Sequence, residues 1–292
     1  MHICRFNRDR LGVVQGELVY DVSEALDQMN IPKWPFAPGD PLIAQLDSVA
    51  PVAARLCEKA TPVALAEVSL HSPVTLPAKI MAAPANYRKH VEIDAQDPGL
   101  HHGLHNKQLQ GVERPVEKFG LFLKASSSLV GPAEGIHLHW LDRRNDHEVE
   151  LAVIIGREAR NVAAADAFAY IAGYSIGLDM TVRGTEDRSF RKSADSYAVL
   201  GPWLTTSDEI DDPERLDLWL EVNGERRQDS STRAMTVGIA ELIEITSRVY
   251  TLYPGDVLLT GTPEGVGEVK PGDVIRAGCE GIGEMTVQVA QA

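Results

Sequence analysis

From residue 73 to the end, the chain is cut into short apolar runs, several of which stop at glycine or asparagine–glycine, and this punctuation leaves few folds open. The runs are KIMAAPA, GLFLKASSS, VELAVIIG, IAGYSIGLDM, DLWLEVNGE, DVLLTG, DVIRAG and MTVQVA. Each has the length of a strand, and Asn223-Gly224 is a pair favoured in two-residue hairpin turns. Helical 3–4 spacing is scarcer, confined to AAADAFAY and VGIAELIEITSRVYTL. Strands and helices do not alternate, so a doubly wound parallel sheet is not expected. The pattern predicts an α+β, β-rich fold with peripheral helices.

Residues 1–72 read as a small, separate N-terminal α/β domain. RLGVVQGELVYDVSEAL predicts a hairpin around Gly16 followed by a helix starting at Ser23. IPKWPFAPGDP then breaks regular structure, and PLIAQLDSVAPVAARLCEKA is helical in pattern. Residues 73–292 form the larger domain. Within it, residues 94–119 show no period and mix Gly, Pro, His and charges. Structureless segments of this length are lids or disordered, and a lid over about residues 86–119 is one expectation.

The formal charge of −14, from 42 acidic against 28 basic residues, repels phosphate backbones and anionic lipid, so neither nucleic acid nor membrane is an expected partner. An anionic substrate stays possible, because a bound cation reverses the field locally. Cys4, Cys57 and Cys279 are scattered without a CxxC pair, the usage of a reducing compartment. The opening MHICRFNRDR is too polar for a signal peptide, and the cytoplasm is the expected location.

The sharpest local feature is NDHEVELAVIIG (145–156). On a strand, Glu148 and Glu150 share one face, which continues with Ala152 and Ile154, while Val149 and Leu151 take the other. Two carboxylates side by side on a half-buried strand repel each other and lose hydration unless something positive sits between them. An edge strand with a wet face is the plain alternative. Asp179 ends a second strand-like run, with Arg183 and Lys192 a few residues on. Three carboxylates with open positions suit a hard cation such as Mg²⁺ or Mn²⁺. All nine histidines lie at or before His147, so an imidazole zinc site would have to draw on early segments. HHGLH (101–105) is the cluster there, and a solvated loop is the simpler reading. His137 and His139 share a strand face and read as structural. GYSIG (173–177) matches the nucleophile-elbow pattern, but no histidine follows Ser175, which excludes the usual serine-hydrolase order. GTPEGVG (261–267) lacks the lysine of a phosphate-binding loop.

Taken in order, ANYRKH, LFLKASSSLVGP, HEVELAVIIG, AGYSIGLDMTVR, RKS, LGPWL, LEVNGERRQ, LYPGDVLLTGTPEGVG and GIGEMTVQV resemble the fumarylacetoacetate hydrolase superfamily from about residue 76 to the C-terminus. The resemblance is to its acylpyruvate, or 2,4-diketo acid, hydrolase-like branch. It implies a mixed β-roll catalytic domain, usually a homodimer, with Mg²⁺, Mn²⁺ or Ca²⁺ held by Glu148, Glu150 and Asp179. It further implies Lys192 and Arg183 as active-site cations and His90 as the group that activates water. Tyr87, Lys124, Glu186 and Thr262 fall at substrate-binding positions. Two departures stand out. The glutamate that often follows the histidine by three residues is Ile93 here, leaving Glu92 to orient His90. Glu186 replaces a glutamine, and an ionised carboxylate cannot donate a hydrogen bond.

The expected reaction is hydrolysis of a carbon–carbon bond in a 2,4-dioxo acid, such as an acylpyruvate or fumarylpyruvate, to pyruvate and a carboxylic acid. His90 would take the proton from water, and Lys192 and Arg183 would stabilise developing negative charge. Decarboxylation or isomerisation of related 2-oxo acids would use the same metal site. A non-catalytic binding relative is the remaining alternative.

Overall fold

The computed structural model describes residues 1–30, 34–89, 112 and 114–292. His90, Glu92, HHGLH and most of the segment expected as a lid lie outside the described residues.

Its backbone is a mixed sheet of twelve strands. At its centre lie Val149–Ile155, here the glutamate strand, and Ile171–Asp179, the aspartate strand, paired antiparallel. Val257–Leu259 flanks the glutamate strand, followed by Ile80–Ala82 in parallel and then Phe122–Lys124. On the other side Ala198–Thr206 pairs with the aspartate strand. His2–Phe6 then pairs with Ala198–Thr206, so the N-terminal strands Arg10–Gln15 and Leu18–Asp21 extend the same sheet. A second, five-stranded sheet contains Glu225–Ser231, Asp217–Val222, Val274–Cys279, Gly283–Gln291 and Ile136–Leu138. A small third sheet joins Asn145–His147 to Thr181–Val182 and Gly267–Glu268.

The local chemistry accounts for these elements. Gly16 at φ 58° turns the hairpin between Arg10–Gln15 and Leu18–Asp21, and Asn223 and Gly224 at φ 53° and 81° turn the one between Asp217–Val222 and Glu225–Ser231. Positive φ at both central positions is the signature of a type I′ turn. The helix Leu46–Cys57 buries Leu46, Val49, Ala53 and Cys57, a 3–4 stripe against the N-terminal strands. AAADAFAY winds as a 3-10 helix over Ala164–Tyr170, and the segment after Ser23 does the same over Ser23–Gln28. Helix Ile239–Val249 packs its apolar face into the main core. Among the described residues, no helix is long and apolar enough to cross a membrane.

The glutamate strand separates two cores. Val149, Leu151, Val153 and Ile155 pack into the core shared with the five-stranded sheet. Ala152 and Ile154 pack into the core shared with Ile3, Leu11, Val13 and Leu46. Every residue of the strand is buried. The Glu-bearing face is therefore the interior of a central strand, not the wet side of an edge.

Candidate active site

Glu148 and Asp179 meet across the two central strands. Val149 pairs with Leu178 and Glu150 with Gly177, and the Asp179 amide donates to the Glu148 carbonyl at 2.9 Å. Strand alternation puts Glu150 on the same face as Glu148. One carboxylate oxygen from each of Glu148, Glu150 and Asp179 lies within 4.8 Å of the others, and all three residues are buried. Like charges facing each other on a sheet are destabilising, and burial removes the water that would screen them.

Cations offset part of that cost. Lys124, at the end of Phe122–Lys124, bonds Asp179 Oδ1 and donates to the Tyr197 carbonyl at 3.0 Å. Lys192, just beyond the short helix Arg188–Arg191, donates to Glu148 Oε2 and Asp179 Oδ2, each at 2.7 Å, and contacts the Thr181 hydroxyl at 2.5 Å. Arg183 donates to Glu148 Oε1 at 3.2 Å and to Asp146 Oδ2 at 2.7 Å. Glu150 has less support. Among the described residues its hydrogen bond is the one from the Gly261 amide to Oε2, at 2.6 Å. Burial, then the charges of Asp179 and Glu148, push its carboxyl well above the ordinary range. Burial likewise pushes the Lys124 ammonium below its ordinary value, against the pull of Asp179.

An all-oxygen donor set in which, among the described residues, buried Glu150 has no ion-pair partner fits a hard divalent ion such as Mg²⁺ or Mn²⁺. The Tyr87 hydroxyl adds a second sign of an incomplete site: it is buried and, among the described residues, has no hydrogen-bond partner. Burial and then the nearby Glu150 charge push that phenol above its ordinary range. Glu148, Glu150 and Asp179 are the residues that can hold the ion.

The loop after Val257–Leu259 closes this side of the site. Gly261 sits at φ 101°, and a Cβ there would come within 2.7 Å of Asn86 Cβ, so only glycine brings its amide to Glu150. Buried Asn86 fixes the approach by donating to the carbonyls of Val237 and Thr260 at 2.8 and 2.9 Å. The Thr262 hydroxyl donates to the Val149 carbonyl at 2.8 Å and accepts from Gln228 Nε2 at 2.8 Å.

Gln228 is a residue that the sequence patterns did not single out. It lies on Glu225–Ser231 of the five-stranded sheet and is fully buried. Its Oε1 accepts from the Val149 amide at 3.0 Å and from His147 Nδ1 at 3.1 Å. Its Nε2 donates to Thr262 Oγ1 and, at 3.0 Å, to the Pro263 carbonyl. One neutral amide thus ties the strand that carries the glutamates to the loop that supports Glu150. Burial pushes the His147 imidazole down to about 4, so it stands neutral, with its proton on Nδ1 facing Gln228.

Other candidate positions separate from this centre. Glu186 is exposed, and its carboxylate takes both arms of Arg143, at 3.0 and 2.8 Å, which holds it below the ordinary carboxylate range. Ser175 is buried, and its hydroxyl bonds the carbonyls of Gly201 and Trp203 at 3.0 and 2.9 Å, a structural role. His137 and His139 are exposed.

Comparison with known proteins agrees with this geometry. Residues 79–290 match the family model for the fumarylacetoacetate (FAA) hydrolase C-terminal domain. A maleylpyruvate hydrolase of Aquipseudomonas alcaligenes is 51% identical over 289 residues, covering 99% of each chain. The crystal structure of maleylpyruvate hydrolase from Sphingobium sp. SYK-6, in complex with manganese (II) ion and pyruvate, superposes with a TM-score of 0.82 at 38% identity over the whole of both chains. A 5-carboxymethyl-2-hydroxymuconate delta-isomerase from Mycobacterium smegmatis superposes with a TM-score of 0.70 at 31% identity, again over the full length of both. The chain belongs to the fumarylacetoacetate hydrolase family.

Proposed function

We propose that this protein is a divalent-metal-dependent hydrolase that cleaves a carbon–carbon bond of an acylpyruvate, with a maleylpyruvate-like compound as its substrate and pyruvate as one product. The buried cluster of Glu148, Glu150 and Asp179 carries the reading, and full-length similarity to maleylpyruvate hydrolases supports it. Mg²⁺ or Mn²⁺ is the proposed ion, with Ca²⁺ an alternative of the same ligand chemistry. A cytoplasmic homodimer is the proposed state, and light scattering on the purified protein tests the assembly.

The overall reaction adds water across one bond. Water attacks the 4-carbonyl carbon, the C3–C4 bond breaks, and its electron pair passes to C3, which takes up a proton to become the pyruvate methyl. The acyl half leaves as a carboxylic acid. A divalent ion held by the three carboxylates supplies Lewis-acid polarisation of the 2-oxo acid oxygens. The chain's own groups do the rest. Lys192 and Arg183 stabilise negative charge that develops on the substrate, a role worth about 3 kcal/mol for one well-placed donor. Lys124 holds Asp179 in place. The Thr262 hydroxyl proton is engaged by the Val149 carbonyl, so this side chain meets substrate as an acceptor. His90, oriented by Glu92, takes the proton from water, and Tyr87 contacts the substrate. Glu186 is held ionised by Arg143 and contributes charge, not a proton.

The similarity to an isomerase gives a second reading its footing, since proton transfer on an unsaturated 2-oxo acid needs the same cation site. Incubating the Mn²⁺-loaded protein with maleylpyruvate and following products by NMR decides between them. Appearance of maleate and pyruvate in equal amounts, lost on chelation, is expected. A rearranged but uncleaved acid would move the assignment to isomerase.

A further inference from the structure

The residue that stands out at the rim of this centre is Arg188, the first residue of the helix Arg188–Arg191. Its guanidinium carbon lies 5.2 Å from the centre of the Phe122 ring. Lys192 Nζ lies 5.4 Å from the centre of the same ring, and Lys192 in turn holds Glu148 and Asp179. Arg188 is thus one aromatic ring away from the carboxylates that can hold the metal.

Its neighbours on this segment are all engaged. Arg183 pairs with Asp146 and Glu148. Arg191 donates to the carbonyls of Glu186 and Val182 at 2.9 and 3.4 Å. Lys192 holds its two carboxylates and Thr181. Arg188 differs: among the described residues, no carboxylate or carbonyl accepts from its guanidinium. It is nonetheless half-buried, and burial holds its pKa below the usual arginine range while Glu148 and Asp179 pull it back up. A partly desolvated guanidinium whose planar fork meets no acceptor among the described residues is a costly arrangement, and it is suited to a carboxylate arriving from outside the chain. Phe122 holds the guanidinium beside the ring, which limits the entropy lost when the anion docks. In a chain of net charge −14, such a cation beside the active centre also draws a dianion in preference to neutral solutes.

We propose that Arg188 is the specificity-determining residue for the acyl half of the substrate, and that it binds a second carboxylate at the far end of that group. The preferred substrates are then acylpyruvates that are diacids. The 2-oxo acid end lies at the metal centre beside Lys124 and Lys192, and the acyl chain runs past Phe122 to Arg188. This rests on the acylpyruvate hydrolase reading and adds to it the residue that reads the far end of the acyl group.

The test compares maleylpyruvate, whose acyl group ends in a carboxylate, with acetylpyruvate, whose acyl group is neutral, on the Mn²⁺-loaded enzyme. For Arg188→Ala, the ratio of kcat/KM for the diacid over the neutral substrate is expected to fall about a hundredfold, mainly through KM. Arg188→Lys keeps the charge without the bidentate fork and is expected to recover part of that ratio. It also serves where the alanine variant does not fold. Binding of maleate to the Mn²⁺-loaded protein, measured by calorimetry, reads the same contact without turnover and should weaken in both variants. Equal losses on the two substrates, or an unchanged ratio and unchanged maleate binding, would overturn the assignment. A wild-type protein that cleaves neither substrate but binds maleate through Arg188 would refute the hydrolase reading and leave the carboxylate site standing.

Discussion

Two polar regions lie back to back in the interior, and they are built on opposite principles. Around Gln228, each donor and acceptor of the side-chain amide is matched: Val149 and His147 on one side, Thr262 and Pro263 on the other. Nothing in that knot is charged, since burial keeps His147 neutral. Around Glu150, three carboxylates face one another; Lys124, Lys192 and Arg183 pair with Asp179 and Glu148, while among the described residues Glu150 receives a single amide. A neutral network whose central amide is fully bonded fixes shape at little cost, even with His147 Nε2 buried and without a partner among the described residues. A buried carboxylate without a cation partner costs stability unless a cation arrives. The first region is built for the fold and the second for a ligand. Their separation lets the site be strained without the strand register being so.

The largest effect expected from breaking this contrast comes from Glu150→Gln. Removing a carboxylate that can hold the metal should lower Mn²⁺ affinity and kcat/KM by at least about a hundredfold, more than loss of an outer-shell partner. The metal-free variant should at the same time unfold at a higher temperature than the metal-free wild type, because a buried like-charge contact is gone, a gain of about 1 kcal/mol. Calorimetric titration with Mn²⁺ and thermal unfolding of the chelated protein measure both. A variant that loses activity and stability together would mean that Glu150 supports the fold and not a ligand.

Gln228→Ala should show the reverse profile. The Val149 amide, His147 Nδ1 and the Thr262 hydroxyl lose a partner in a buried setting, which costs about 3 kcal/mol of stability. Through the displaced 261–263 loop, Mn²⁺ affinity should fall about tenfold. Denaturant unfolding with and without Mn²⁺ separates the two effects. Stability that is unchanged in the variant would show that water replaces the amide without penalty.

How far these regions are legible in sequence follows from the range of their contacts. The shared face of Glu148 and Glu150 is local, a consequence of strand alternation, and the run of residues that follows announces burial. Asp179 is legible as an acid closing a strand-like run, but its position opposite Glu148 is a matter of register, which no single segment carries. Gln228 sits in ERRQDSS, a strand with no apolar residue, and its partners lie 34 to 81 positions away on other elements. The same holds for the pairing of His2–Phe6 with Ala198–Thr206, which leaves no mark in either pattern. Lys124 follows only from family resemblance, since an ammonium on a short apolar strand reads locally as an edge residue. AAADAFAY shows the limit of periodicity: its spacing admits a helix, but the segment winds as a 3-10 helix.

A smaller effect tests whether satisfied polar groups elsewhere behave like the Gln228 knot. Ser175→Ala removes a buried hydroxyl that bonds the carbonyls of Gly201 and Trp203. A loss of about 1 kcal/mol is expected, with kcat within error of wild type. A loss of turnover without loss of stability would reopen a catalytic role for GYSIG.

The smallest effect calibrates the ionic side of the comparison. Arg248 and Glu244 form a 2.9 Å pair one turn apart on helix Ile239–Val249, with Arg248 62% exposed. Water screens that pair, so Arg248→Ala should cost no more than about 0.5 kcal/mol, and raising the salt should shrink the difference. Lys192→Ala breaks pairs of nearly the same length, 2.7 Å to Glu148 and Asp179, but in the interior. Chelated protein carrying that change should lose about 3 kcal/mol, insensitive to salt, because it takes one buried cation from two carboxylates and leaves Glu148 to Arg183 and Asp179 to Lys124. Adding Mn²⁺ should return part of the loss, since an ion bound between the carboxylates takes over the charge that Lys192 supplied. Salt-sensitive destabilisation of the Lys192 variant would place its ammonium in contact with bulk water and remove the physical distinction between the two pairs.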